Sequence, residues 1–301
     1  MKAISFQQMV TGLRAKRTLL VLSPCILICL MQPTMAAGAR TVLFIGNSFT
    51  AGMHSPVWRY RASTVHDLNH LGVGGVPALF KLFTQEEGLN YRVYVETVPG
   101  KTLKYHYLHE KAEISHLWDV VVMQEYSALD PKDPGNPAVF KEYAERLAKL
   151  LASYNSKVEV WLMAPWSRPD FTYKEHSPWY GKPIDAMGID LQHAYTAVAT
   201  SSPLIKGVIP VGMAFNRAIA EGVADPDPYD GISYGKVNLW AYDGHHADAY
   251  GYYLQALMDF GKITGKDPRG LGSKEQAAIE LGLAPKVAVA LQKVAAQQLQ
   301  H

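Results

Sequence analysis

Two short segments near opposite ends of the 301-residue chain carry the residue types of nucleophilic catalysis. Gly46-Asn47-Ser48-Phe49 follows the apolar run 41–45, where a buried strand would end, and Asp243-Gly244-His245-His246 sets an aspartate three residues before a histidine. A serine hydroxyl is a weak nucleophile near neutral pH until a base takes its proton. Histidine is that base when a carboxylate fixes its tautomer and stabilises its cation. Ser48, His246 and Asp243 supply all three groups. Each alone has a plainer explanation: small polar residues close strands, and an aspartate ahead of a helix is a common N-cap. The combination, with the serine at a strand end and 198 positions from the histidine, is more specific. His245 competes with His246 for the role of base, and peptide geometry does not separate them.

The elements that must position these residues alternate. Apolar, β-rich runs at 41–45, 91–98, 119–123, 158–163 and 207–211 are interleaved with helical spacing at 76–84, 103–117, 136–154, 191–199 and 213–220, and 250–263 follows the Asp-x-x-His segment. In 136–154, Phe140, Tyr143, Leu147 and Leu150 or Leu151 fall on one face. This alternation predicts an α/β fold, a parallel sheet covered on both faces. Such sheets bind ligands beyond the carboxyl ends of their strands, near a topological switch point. Loops at 165–187 and 225–242 are rich in aromatic residues. Long loops in compact domains are often functional, and the same aromatics also serve to pack loops onto a body. Trp166 and Arg168, just past the fourth strand, are candidates for stacking on a substrate and pairing with an acid. Residues 273–299, rich in Ala, Gln and Lys, read as one or two helices after the core.

A hydrophobic content of 48% with 19% charged residues describes a folded chain. Residues 1–39 read differently. Arg14, Lys16 and Arg17 precede an apolar stretch that ends in small residues, which is the pattern of a secretory signal peptide. The stretch is too short for a comfortable membrane span, so a periplasmic or secreted protein without stable membrane insertion is expected once it is removed, with an uncleaved membrane anchor as the alternative. The leader holds four of the 29 basic residues and no acid; without it 25 bases face 27 acids, and the net charge moves from +2 to −2. Nucleic acid is therefore not an expected partner. Both cysteines, Cys25 and Cys29, lie in the leader, which leaves the mature chain no disulfide and no thiol nucleophile. Pro24 stands where a lipidation site wants a small residue. The eleven histidines lack metal-ligand spacing. Gly72-Val73-Gly74-Gly75 lacks the Gly-Lys-Ser/Thr ending of a phosphate loop. Neither a metal nor another cofactor is expected.

With these residues in place, the sequence resembles the SGNH hydrolases, the GDSL-like lipases and esterases, over roughly residues 41–263. Gly46-Asn47-Ser48 matches their first block, with Asn in the place of Asp. Gly100 matches the glycine after the second strand, and Asp243-Gly244-His245-His246 matches the terminal Asp-x-x-His, which favours His246 over His245. The third block departs: Val122-Met123-Gln124-Glu125-Tyr126-Ser127 has no Gly-x-Asn-Asp, and is similar instead to a bacterial subgroup with Gly-Asn-Ser-Phe first and Gln-Glu third. The resemblance implies a three-layer α/β/α sandwich with a mainly parallel, flavodoxin-like five-stranded sheet in residues 40–270, with 271–301 as a helical extension. It implies that Ser48 attacks an ester carbonyl, that His246 held by Asp243 moves the proton, and that the N–H groups of Ser48 and Gly100 and the amide of Gln124 face the oxyanion. Asn47 and Glu125 join Trp166 and Arg168 as candidate substrate-binding residues. The function expected is a serine esterase acting on a small acyl ester, acetyl, of a carbohydrate, whose faces suit aromatic loops. A lipase or lysophospholipase is the alternative within the class, with no long apolar run to line an acyl channel. A non-catalytic glycan-binding protein that keeps the fold is the alternative outside it, favoured by the missing Gly-x-Asn-Asp.

Overall fold

Along the first strand, β1 (Arg40–Gly46), buried side chains alternate: Val42 and Phe44 enter one core, Leu43 and Ile45 the other. Successive strand side chains point to opposite faces, so a strand apolar at every position must be covered on both. The computed structural model describes residues 38–300, which leaves the expected leader outside the described residues but for its last two positions. The remaining strands are β2 (His66–Asp67), β3 (Tyr91–Thr97), β4 (Val120–Met123), β5 (Glu159–Ala164) and β6 (Ile205–Pro210). All pair in parallel, in the order β2-β3-β1-β4-β5-β6. The five expected strands are all present. The sixth, β2, lies at the sheet edge and has only two residues, too few to show a period. With β2 set aside, the strand order is that of flavodoxin-like sheets. The chain leaves β1 on both sides, so its carboxyl end is the switch point.

The helices are α1 (Gly75–Glu86), α2 (Leu103–His109), α3 (Lys111–Ile114), α4 (Ala138–Tyr154), α5 (Asp185–Thr200), α6 (Val211–Ala220), α7 (Ala249–Thr264), α8 (Gln276–Glu280) and α9 (Pro285–Leu299). Helices α1, α6, α7 and α9 cover the face of Val42 and Phe44, and α2 to α5 cover the other, giving the three-layer sandwich. The stretch 103–117, expected as one helix, divides at Glu110 and ends at Ile114. Helix α5 begins at Asp185, inside the expected loop, because Met187, Leu191, Tyr195 and Val198 make one buried stripe. Leu291, Val294 and Ala295 of α9 join the same core as α7. Among the described residues no helix is long and apolar enough to cross a membrane.

Candidate active site

Ser48 stands in the turn that leaves β1. Asn47 closes that turn, accepting from Phe49 N–H through Oδ1 at 3.2 Å and from Ala51 N–H through its carbonyl at 2.9 Å. Gly46 has no room for a side chain, since a Cβ there would collide with Thr50 Oγ1 and lie 2.8 Å from Gln124 Oε1. Facing this turn is the loop before α7, whose N-cap Asp248 accepts from Gly251 N–H at 3.0 Å. Asp243 organises that loop: Oδ1 accepts from the N–H groups of His245 and His246, each at 3.0 Å, and Oδ2 lies 2.6 Å from His246 Nδ1. His246 Nε2 lies 2.8 Å from Ser48 Oγ. Burial alone pushes the Asp243 carboxyl up, but the His246 ring and the two N–H groups outweigh it and hold it well below the usual carboxylate range. His245 is turned elsewhere. Its Nδ1 faces Asp170 Oδ2 at 3.8 Å, its ring stacks on His246 at 4.5 Å, and burial lowers its pKa. The side chains that sequence reasoning left in competition are thus separated, with His246 alone joined to both Ser48 and Asp243.

Beside Ser48 and His246 opens a cavity of about 340 Å³, walled further by Asn47, Gly100, Ser127 and His245. Gly100 has φ +70°, with open space where a Cβ would lie, so the left-handed backbone is what calls for glycine. Among the described residues, the N–H groups of Ser48 and Gly100 have no protein acceptor. Both residues line the same cavity.

The other expected residues are placed differently. Gln124, expected to face the oxyanion, is 1% exposed and folds beneath the serine turn. Its Oε1 accepts from Asn47 N–H at 3.1 Å and from Thr50 Oγ1 at 3.0 Å, and its Nε2 donates to the Glu125 carbonyl. It buttresses the turn and does not line the cavity. Asn47 lines the cavity, but its Nδ2 donates to the carbonyls of Lys101 and Glu125, joining the loops after β1, β3 and β4. An aspartate at this position could not donate those bonds. Glu125 is buried and accepts from Leu103 N–H and Tyr126 N–H, so it is not available to a sugar. Trp166 is not a substrate platform. It is 0% exposed, stacked between Phe49 and Phe215 at 4.4 and 4.8 Å, and it supports the His245 carbonyl through Nε1. Arg168 does not wait for an acidic substrate either, because it is buried and paired with Asp170.

Residues that the sequence did not single out complete the site. Tyr126 and Ser127 line the cavity from the loop after β4, and Met53 and His54 from the segment after Ser48. His54 has φ 62°, a left-handed conformation uncommon outside glycine. Its ring lies over that of His246 at 4.3 Å, with Nδ1 3.2 Å from the Tyr242 hydroxyl. Donor atoms of His54, Asp243 and His246 fall within 4.8 Å of one another, the one such cluster among the described residues. Asp243 and His246 are already engaged with each other and with Ser48, which accounts for two of its three members.

Burial pushes the Glu125 carboxyl up to about 8, against the opposing pull of the Tyr126 and Leu103 N–H groups. A pKa above the ordinary 4.5 means that the folded chain binds this proton more tightly than the unfolded chain. The resulting stability is complete below about pH 4.5 and is lost as pH rises towards about 8. Glu125→Gln, which does not titrate, is expected to flatten this part of the profile. Its thermal midpoint should fall less than that of the unaltered protein between about pH 5 and 8. Equal slopes would count against a proton on Glu125.

An α/β/α sandwich with a Ser-His-Asp network at the switch point of its sheet has the general form of a serine hydrolase. No protein-family model matches the sequence, and no curated protein matches it. Among solved structures, a DUF4886 family protein from Bacteroides uniformis superposes with a TM-score of 0.60 at 16% identity, covering 87% of this chain and 95% of that one. A Parabacteroides merdae protein described as GDSL-like superposes with a TM-score of 0.50 at 20% identity, covering 75% of this chain and 95% of the other. At these identities the likeness is one of fold.

Proposed function

We propose that the protein is a serine esterase that removes a small acyl group, acetyl, from a carbohydrate. The observation that carries the reading is the ordered contact of Asp243, His246 and Ser48, at 2.6 and 2.8 Å, on the wall of a small cavity. In this reading Ser48 Oγ bonds to the ester carbonyl carbon while the π pair moves to the carbonyl oxygen. The Ser48 proton passes to His246 Nε2, and Asp243 stabilises the imidazolium. The oxyanion is received by the N–H groups of Ser48 and Gly100, each such donor being worth ~3 kcal/mol of barrier. Collapse re-forms the carbonyl and releases the alcohol, which leaves with the proton from His246. Water, deprotonated by His246, then cleaves the acyl-Ser48 bond.

A small acyl group is favoured by the absence from the sequence of a long apolar run that would line an acyl channel; the cavity of about 340 Å³ would receive the acyl group and part of the alcohol. A carbohydrate alcohol is favoured by Tyr126 in the cavity and by Tyr242, 84% exposed and bonded to His54 beside it. Action in the periplasm or outside the cell rests on the leader 1–39; residues 40–270 are then the catalytic domain and 271–301 its helical extension. The test is a series of aryl esters of increasing acyl length, each compared with Ser48→Ala to isolate the enzymatic rate. From acetyl to octanoyl, kcat/KM is expected to fall by about 100-fold or more, since a pocket fitted to a short chain rejects added methylenes. Equal or higher rates on octanoyl would instead select the lipase alternative.

A further inference from the structure

The SGNH resemblance implies a side-chain donor beside the two backbone N–H groups, and Gln124 does not line the cavity. Ser127 lines that cavity together with Ser48 and Gly100, and is 2% exposed. Its Oγ lies 3.3 Å from Arg168 Nη1. A guanidinium has no acceptor, so this bond runs in one direction only: Arg168 donates and Ser127 accepts. The Ser127 proton is left over, and among the described residues no protein group accepts it. Ser127 itself lines the cavity that holds Ser48.

Arg168 is itself fixed. Its Nε donates to Asp170 Oδ1 at 3.0 Å, Nη2 pairs with Asp170 Oδ2, and the Phe171 ring lies 3.6 Å from its guanidinium carbon. Asp170 is tied in turn to the triad loop, its N–H donating to the Gly244 carbonyl at 3.1 Å and its carboxylate facing His245. A charged donor on Ser127 Oγ polarises the hydroxyl, and a buried setting strengthens the effect. The unit Asp170–Arg168–Ser127 therefore holds a hydroxyl with an unshared proton on the wall of the cavity that holds Ser48.

We propose that the Ser127 hydroxyl is the third donor of the oxyanion hole, held in place by Arg168 and Asp170 as positioning residues. The proposal rests on the esterase reading. Ser127 keeps its proton throughout: it donates a hydrogen bond to the carbonyl oxygen as negative charge develops there, and no bond to Ser127 forms or breaks.

The test is steady-state hydrolysis of an aryl acetate, with a small alkylboronic acid as a tetrahedral inhibitor of Ser48. Ser127→Ala is expected to lower kcat by about 100-fold with KM within about threefold, because the bond strengthens in the transition state. Boronate affinity should weaken by a similar factor. Ser127→Cys, which keeps the bulk but is a weak donor, should fall with it. Arg168→Lys should lower kcat when Ser127 is present and add no further loss in the Ser127→Ala background. Equal loss in both backgrounds would overturn the positioning role. Near-normal kcat in Ser127→Ala, or a raised KM with kcat unchanged, would overturn the Ser127 assignment. If Gln124→Ala loses kcat while Ser127→Ala does not, the donor is Gln124. Absence of Ser48-dependent hydrolysis in the unaltered protein would overturn the esterase reading and this proposal together, which separates the two failures.

Discussion

Replacing Ser48 by alanine is expected to lower kcat/KM for an aryl acetate by about 10⁴- to 10⁶-fold, the range seen when a nucleophile acting within a triad is removed. The fold should survive. The lost Oγ bonds to no side chain but His246, and the surrounding turn is held by Asn47, Thr50 and Gln124. His246→Ala should cost about as much. Because nucleophile and base act as a unit, the double variant should be little worse than either single one. His245→Ala should cost far less, since its Nδ1 faces Asp170 and not Asp243. The measurement pairs hydrolysis rates with circular-dichroism melts of the same preparations. Activity kept in His246→Ala and lost in His245→Ala would reverse the assignment of the base.

The parts of this molecule that are legible in the sequence are those placed by short-range spacing. The central strands carry unbroken apolar runs, and a strand buried on both faces requires them. The two-residue β2 carries no pattern at all. Ser48, Asp243 and His246 are legible because each hangs from a strand end or a single turn, and Asp-x-x-His brings carboxylate and ring together within four residues. The third block fails for the opposite reason. Gln124 turns under Asn47, 77 positions away, where a backbone N–H requires an acceptor that the local sequence does not announce. Trp166 and Arg168 fail through burial. A tryptophan in a loop looks the same whether it meets a sugar or lies between Phe49 and Phe215. His106 is buried with Nδ1 2.6 Å from Glu96 Oε2, a pairing between α2 and β3 that only the packed layers create. Ser127 stands in plain view next to the Gln-Glu pair, but what distinguishes it is a guanidinium 41 positions further on.

Asp243→Asn separates geometry from proton logic within the triad. The asparagine keeps an oxygen in the place of Oδ1, so the two 3.0 Å bonds from the N–H groups of His245 and His246 are retained and the loop keeps its shape. In the place of Oδ2, 2.6 Å from His246 Nδ1, it puts an NH₂ group. That group donates where the carboxylate accepts, so the imidazole must carry its proton on Nε2 to leave Nδ1 free to accept. Nε2, which faces Ser48 Oγ at 2.8 Å, then has no lone pair to take the serine proton. A loss of about 10⁴-fold in kcat is expected, with KM little changed, as when a triad is held in the wrong tautomer. The thermal melt near neutral pH should stay close to that of the unaltered protein, because the backbone bonds to Oδ1 remain. Asp243→Ala removes those bonds as well and should lose both activity and melting temperature. A kcat within tenfold of the unaltered protein in Asp243→Asn would mean that His246 is oriented by its ring contacts with Phe49, His54 and His245, and that the carboxylate is dispensable.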